Sequence, residues 1–438
     1  MSLGLELACV LLILGTARAM IPIQCGSPAH VARKVCCPIF WGDGSPCGSA
    51  SGRGRCQDIM GETPKERAER AREHRNTRDF RLWWPTYFFR HLCVCQGHFG
   101  GVDCGECAYG WQGAKCQVKH IVIRRDISTL SLAEQRLFVH RLHLAKTTLS
   151  QRYVIYASSS PVPYSPLVFH RATVYDVASY LHHTASKNIG STDSNFGHRG
   201  TAFLSWHRLH CIHLENEIRN MTGDQSFSLP YWSWPGKTHC DVCTNNLFGA
   251  SLPNGQLSSL SIFSSWRKFC DEVGNQPSGF HQVCSPLLGG PIIRHNHNRE
   301  LPTWADVRSC LQLQAFDTYP YDTTALNSFR NMLEGNIDPQ NPSRIKRSMH
   351  NLVHIYCGGT LEFSNTAAND PLFAPLHATG DKLFEMWLRR HPGTHYPTGN
   401  VPFGHRARDK VVTFIPIYEN WEMMKSCQEF GYDYDDME

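Results

Sequence analysis

Six histidines in two groups of three constrain this chain more than any other feature: His182, His198 and His207, then His350, His354 and His377. The later group lies in Met349-His350-Asn351-Leu352-Val353-His354, followed by Asn369-Asp370-Pro371-Leu372-Phe373 and then His377. Histidines four apart share one face of a helix, one turn from each other. A third imidazole must come from another helix, and the Asp-Pro break predicts one over 370–390. The earlier group follows a similar plan. His182 ends a run opened by Val174-Tyr175-Asp176-Val177, while His198 and His207 flank Ala202-Phe203-Leu204-Ser205-Trp206.

Neutral nitrogen ligands without thiolate or carboxylate suit copper, with zinc a competitor. Three ligands per ion leave coordination positions open, which a catalytic centre needs and a closed structural site does not. Two such ions side by side are placed to hold dioxygen between them, so oxygen activation is the natural chemistry.

The chain has 24 histidines, so most are not ligands. His183 must point away from its neighbour His182 on a helix. His210 and His213 read as surface groups or as supports behind the ligands, and His295-Asn296-His297 as an exposed loop.

With 438 residues and 41% hydrophobic content, the chain can bury one large core beside a small module. A net charge of +5 is mild and calls for no nucleic-acid partner. Residues 1–19 read as a secretory signal: Leu7–Leu14 is an apolar core and Ala17-Arg18-Ala19 a small-x-small cleavage site. No later run reaches the ~20 apolar residues of a transmembrane helix. The nineteen cysteines fit an oxidising compartment.

Ten of those cysteines fall between Cys25 and Cys116, separated by glycine-rich turns. The loops 95–104 and 107–116 look like a small growth-factor-type (EGF-like) module. Disulfides suit a secreted chain with an even cysteine number better than zinc does. Within this stretch, 64–81 reads as a solvated mixed-charge helix. Further on, Cys240 with Cys243 and Cys270 with Cys284 read as local disulfides. Cys211, Cys310, Cys357 and Cys427 stay unassigned. Ser131-Leu132-Ala133-Glu134 predicts a capped helix start, and further helices are expected over 174–185, 206–220, 344–356 and 370–390. Four of them should pack as a bundle with the metals inside. Asn220-Met221-Thr222 is a glycosylation sequon at a predicted helix end.

The runs Phe203-Leu204-Ser205-Trp206-His207-Arg208, Pro230-Tyr231-Trp232-Ser233-Trp234 and Met349-His350-Asn351 resemble the tyrosinase family of binuclear copper proteins. The likeness is greatest to the melanin-forming animal branch, which includes the tyrosinase-related proteins, and extends from about Cys25 to Tyr434. It implies a mainly α fold, with a cysteine-rich module over 20–120 and a four-helix-bundle copper domain over 121–435. It assigns His182, His198 and His207 to one copper and His350, His354 and His377 to the other. It also implies disulfides 25–36, 37–56, 47–93, 95–104 and 107–116.

The implied partners are a small phenolic substrate and O2. The implied activity is ortho-hydroxylation of monophenols such as L-tyrosine and oxidation of o-diphenols such as L-DOPA to quinones, in melanin synthesis. Glu334 and Asn351 match positions that in some relatives hold a water able to take the phenol proton, and Phe373 is expected to stack on the ring. Asp381 is expected to orient a ligand imidazole from behind. The family also leads one to expect a C-terminal anchor, and this chain shows none before its Glu438.

Three departures bear on the reading. Leu376 stands where vertebrate tyrosinases place a second histidine, as in related proteins, some of which hold zinc and rearrange dopachrome. A catechol oxidase lacking the hydroxylation step is a further alternative. Ala378-Thr379-Gly380 replaces bulkier residues and implies a wider pocket mouth. Phe196 stands where some relatives carry a cysteine linked to a ligand histidine. Oligomeric state is not legible.

Overall fold

A computed structural model describes residues 19–59, 63–65, 68, 72, 79–158, 167–189, 194–270, 289–297 and 300–437. The expected signal peptide up to residue 18, most of the charged segment 64–81, and Cys284 lie outside the described residues. Among the described residues no helix is long and apolar enough to cross a membrane.

Eight α-helices occur there: α1 (Pro28–Arg33), α2 (Leu132–Thr147), α3 (Val174–Ala185), α4 (Phe203–Thr222), α5 (Trp304–Leu311), α6 (Phe329–Glu334), α7 (Met349–Cys357) and α8 (Phe373–Arg390). The fold is mainly α, with strands that are mostly short. Helix α2 begins at the capping box read from the sequence: the Ser131 hydroxyl accepts the Glu134 N–H, and the Glu134 carboxylate accepts the Ser131 N–H. Helix α3 is capped by the Thr173 hydroxyl, and all of its residues are buried. It is therefore a central element rather than a surface one. Helix α4 packs against both α3 and α8 and stops at Gly223, which takes the left-handed conformation favoured by glycine.

Three helix starts differ from expectation. The helix predicted over 206–220 begins earlier, at Phe203. The helix predicted over 344–356 begins only at Met349, because Asn341–Ile345 forms a strand folded back on Ile337–Asp338. The helix predicted from Asp370 begins at Phe373. The Asp370 carboxylate instead accepts the Leu372 N–H in the preceding turn and is gripped by the guanidinium of Arg294 through two bonds of 2.6 Å. The turn that ends α6 is just as closely packed. Gly335 has φ +102°, and a Cβ there would stand 2.1 Å from the Ser348 carbonyl oxygen, so only glycine fits.

The amino-terminal module is built from short strands and the disulfides Cys25–Cys36, Cys37–Cys56, Cys47–Cys93, Cys95–Cys104 and Cys107–Cys116. Elsewhere Cys240 pairs with Cys243, and Cys270 is also disulfide-bonded. Cys211, Cys310, Cys357 and Cys427 are free thiols buried in the core.

The module is woven into the rest. Met20–Pro22 runs antiparallel to Leu149–Ser158, with Met20 opposite Ile155, and Leu167–Thr173 completes the sheet. Phe80, Trp84, Phe88 and Phe89 share a hydrophobic cluster with Tyr156, Tyr180 and Trp206. The buried Arg81 guanidinium donates to the carbonyls of Thr184, Lys187 and Asn188 at 2.6–2.9 Å. It thereby satisfies the open carbonyl end of α3, the helix that carries His182. A cation at that end is also favoured by the helix dipole.

Candidate metal centre

Four helices and one loop bring the six histidines together. His182 lies in the last turn of α3, His207 in the first turns of α4, His350 and His354 on α7, and His377 on α8. His198 comes from the loop before α4. All six are buried. Each triad is compact enough that its candidate donor atoms lie within 4.8 Å of one another.

The later triad is the tighter. The Nε2 atoms of His350, His354 and His377 are separated by 2.9, 3.2 and 3.3 Å. An ion about 2.0–2.1 Å from each nitrogen, at angles between a right angle and the tetrahedral value, sets donors roughly 2.9–3.4 Å apart. The spacing fits. His350 Nδ1 donates to the Glu334 carbonyl and His354 Nδ1 to the Leu361 carbonyl, at 3.2 and 2.6 Å. Those bonds place the ring proton on Nδ1 and leave the Nε2 lone pair facing inward.

The earlier triad is held differently. His207 Nδ1 donates to the Phe203 carbonyl at 2.8 Å, while the Ser186 hydroxyl lies 3.5 Å from His182 Nδ1 and 3.4 Å from His198 Nδ1. His182 Nε2 and His207 Nε2 are buried with no hydrogen-bond partner in the protein. A buried imidazole nitrogen left unpaired is costly, and two aimed into one space are the donor set an ion would satisfy.

The triads face each other, with the rings of His207 and His377 stacked at 4.3 Å. Phe373 is wedged between them, its ring 4.1 Å from His377 and 4.6 Å from His182. Burial pushes all six imidazoles below their usual pKa, His354 to about 4, and the neighbouring imidazoles add to this for His182, His198, His207, His350 and His377. Neutral imidazole is the form that binds metal.

Residues 172–390 match the family model described as the common central domain of tyrosinase. Over its wider length the chain is 37% identical to tyrosinase of Pelophylax lessonae, covering 97% of this chain and 83% of that protein. It is 38% identical to tyrosinase of Bos taurus, covering 98% and 84%. The human 5,6-dihydroxyindole-2-carboxylic acid oxidase is 35% identical, covering 98% and 86%. The chain belongs to the tyrosinase family.

Around the family's histidine centre, the structure distributes the other expected residues unevenly. Glu334 ends α6 directly behind His350, whose Nδ1 it accepts through its main chain. Its carboxylate is buried and held at both oxygens, by the Arg199 N–H at 2.5 Å and by Arg330 Nη1 at 3.0 Å. Burial raises its pKa, and the two arginines pull the other way. Asn351, next in sequence to His350, donates from Nδ2 to Asn336 Oδ1 at 3.2 Å.

Asp381 does not reach an imidazole. It lies one turn beyond His377 on α8, where it meets Arg208 instead. Its carboxylate accepts Arg208 Nε at 2.5 Å, Arg124 Nη1 at 3.2 Å, and the hydroxyls of Tyr432 and Tyr434 at 2.6 Å each. It orders the helix, not the ligand.

The stretch expected at the pocket mouth also turns inward. The Thr379 hydroxyl donates to the Trp232 carbonyl, the Ala378 carbonyl accepts the Tyr434 hydroxyl, and the Leu376 carbonyl accepts Trp234 Nε1. All three residues are buried. Successive helix residues rotate by about 100°, so neighbours of His377 cannot share its direction. A Cβ on Gly380 would meet only open space. Phe196 is buried beneath Arg81, 5.1 Å from its guanidinium. His210 and His213 are buried, not on the surface; His210 Nε2 donates to the Ala178 carbonyl at 2.9 Å.

Four supporting residues escaped the sequence reading. Asn195 Oδ1 accepts the N–H groups of Gly197 and His198, at 3.1 and 2.7 Å. His405 braces the same loop: its Nδ1 accepts the Ala202 N–H at 3.1 Å and its Nε2 donates to the Asn195 carbonyl at 2.7 Å. Ser186 touches two ligand rings, as described. Phe203 sits 4.8 Å from His207 and 4.9 Å from His350. Only Phe203 carried a local signal, because it precedes His207 by four residues and so shares its helix face.

Proposed function

We propose that this chain is a secreted or lumenal copper enzyme that hydroxylates monophenols such as L-tyrosine and oxidises o-diphenols such as L-DOPA to quinones with O2, contributing to melanin. The observation that carries the reading is the convergence of three Nε2 atoms within 3.3 Å, facing a second imidazole triad across the His207–His377 stack. In it, His182, His198 and His207 hold one copper and His350, His354 and His377 the other. The pair supplies oxygen activation when bound. The chain's own part is to keep six imidazoles neutral and fixed, and to exclude water with Phe203 and Phe373.

Before a phenol becomes a good ligand it must lose its proton. Glu334, with its pKa raised by burial, and Asn351 are placed beside His350 to take that proton through a water. The family architecture completes the reading, with α3, α4, α7 and α8 as the four-helix bundle over 121–435 and residues 20–120 as an EGF-like module. The disulfides support an oxidising compartment.

A second reading is favoured by Leu376. It is fully buried beside His377, so no additional imidazole is available at that position. The same centre loaded with zinc would rearrange dopachrome without redox chemistry.

The test is quinone formation from L-tyrosine and L-DOPA by protein reloaded with copper or with zinc, alongside metal analysis. Turnover of both substrates with copper alone supports the first reading. Turnover of L-DOPA only leaves a catechol oxidase. Inactivity on both, with zinc-dependent loss of dopachrome, selects the second.

A further inference from the structure

Away from the histidines, a cavity of about 650 Å³ opens between the cysteine-rich module and the metal domain. That volume lies within the roughly 300–1,000 Å³ typical of small-ligand pockets. Its character is unlike the metal centre. In its lining the rings of Tyr109 from the module and Tyr418 from the metal domain lie parallel at 5.9 Å. Near them Arg152, also in the lining, spans the two bodies, bonding Glu106 of the module and Glu217 of α4 at 2.8 Å each. Polar side chains that line it and flat aromatic faces are the combination that accepts a sugar, whose hydroxyls take hydrogen bonds and whose C–H face packs on a ring.

The last turn of α4 contributes Asn216, Glu217, Arg219 and Asn220 to the same lining. Asn220 is exposed and begins the sequon Asn220-Met221-Thr222. Its side chain stands beside the Glu217 carboxylate and favours its charged form. Attachment of a sugar to Nδ2 still leaves one N–H. The sequon now lies in a helix, where Thr222 donates to the Ile218 carbonyl at 2.8 Å. Glycan transfer acts on the extended chain before it folds, so the helix is no obstacle.

We propose that Asn220 carries an N-linked glycan whose first sugars occupy this cleft and clamp the cysteine-rich module onto the metal domain. The inference is independent of which metal the histidines hold. The occupant is the chain's own carbohydrate, and the cleft is its seat.

The test uses the full chain secreted from cells that perform N-glycosylation. Peptide mass spectrometry should find Asn220 occupied. An endoglycosidase should release that glycan at least ten times more slowly from the native protein than from the unfolded one. Thr222→Ala removes the sequon while leaving Asn220 in place, and should lower the unfolding temperature and speed proteolysis between module and domain. Thr222→Ser retains the sequon and should restore both. An unmodified Asn220 overturns the proposal. So does equal release from native and unfolded protein, or a Thr222→Ala chain as resistant as the parent.

Discussion

The two histidine triads do the same geometrical job with different supports. In the later triad, His350 and His354 hand their ring protons to main-chain carbonyls, and the three Nε2 atoms meet within 3.3 Å. In the earlier one, His182 and His198 share a single serine hydroxyl at 3.4–3.5 Å, and His198 stands on a loop. A carbonyl within packed secondary structure cannot rotate away, whereas a serine hydroxyl can. The difference teaches that the later site is preset by the backbone, while the earlier has only His207 held that way and depends for His182 and His198 on replaceable side chains.

The largest effect should come from His377→Ala. Its ring belongs to the later triad yet stacks on His207, so both ions should be lost and quinone formation should fall to background. By contrast, His198→Ala should retain about one ion per chain by metal analysis. If His377→Ala also keeps one ion, the His207–His377 stack does not couple the two triads.

Acid comes next. Folded imidazoles with depressed pKa stay neutral while the unfolded chain takes up protons, so stability present above pH 6.5 is lost as pH falls toward the folded pKa. For His354 that window runs from the ordinary imidazole value of 6.5 down to about 4. The metal-free protein should therefore show a denaturation midpoint that drops steeply between pH 6.5 and 4, with bound metal offsetting the loss.

Asn195→Ala should weaken metal at the earlier site alone. Ligand supports of this kind are worth about 10–100-fold in affinity, and competition with a chelator would measure it. A matching loss at the later site would break the asymmetry. The smallest change belongs to Ser186→Ala, at about 2–10-fold, the worth of one ordinary hydrogen bond. Stopped-flow metal uptake should then show one slowed phase and one unchanged.

Much of this was legible because it is local. Helical spacing placed His350 with His354, the Ser131–Glu134 capping box marked the start of α2, and the apolar run to His182 marked α3 from Val174 to Ala185. The family resemblance implied the module's pairing, and the structure joins the same cysteines. What failed was long-range or directional. Asp381 was assigned to an imidazole because it lies one turn from His377, but Arg208 and two distant tyrosines claim it. Thr379 was assigned to the pocket by sequence proximity, although rotation along the helix carries it to Trp232. His405 supports the His198 loop from some two hundred residues away, and no periodicity reports such a contact.

The parallel pairing of Val122–Arg124 with Tyr432–Tyr434 sets the order in which the molecule is completed during its synthesis. Arg124 and Tyr434 are 310 residues apart, and ribosomes add roughly 5–20 residues per second. The interval between their emergence is then on the order of 15–60 s. Throughout it Arg124 waits, joined by Arg208 and only late by Asp381, for the tyrosine hydroxyls that finish their buried cluster. The disulfide-rich amino-terminal part emerges early in that schedule, whereas the helical part that carries the histidines closes only when Tyr432–Tyr434 arrives.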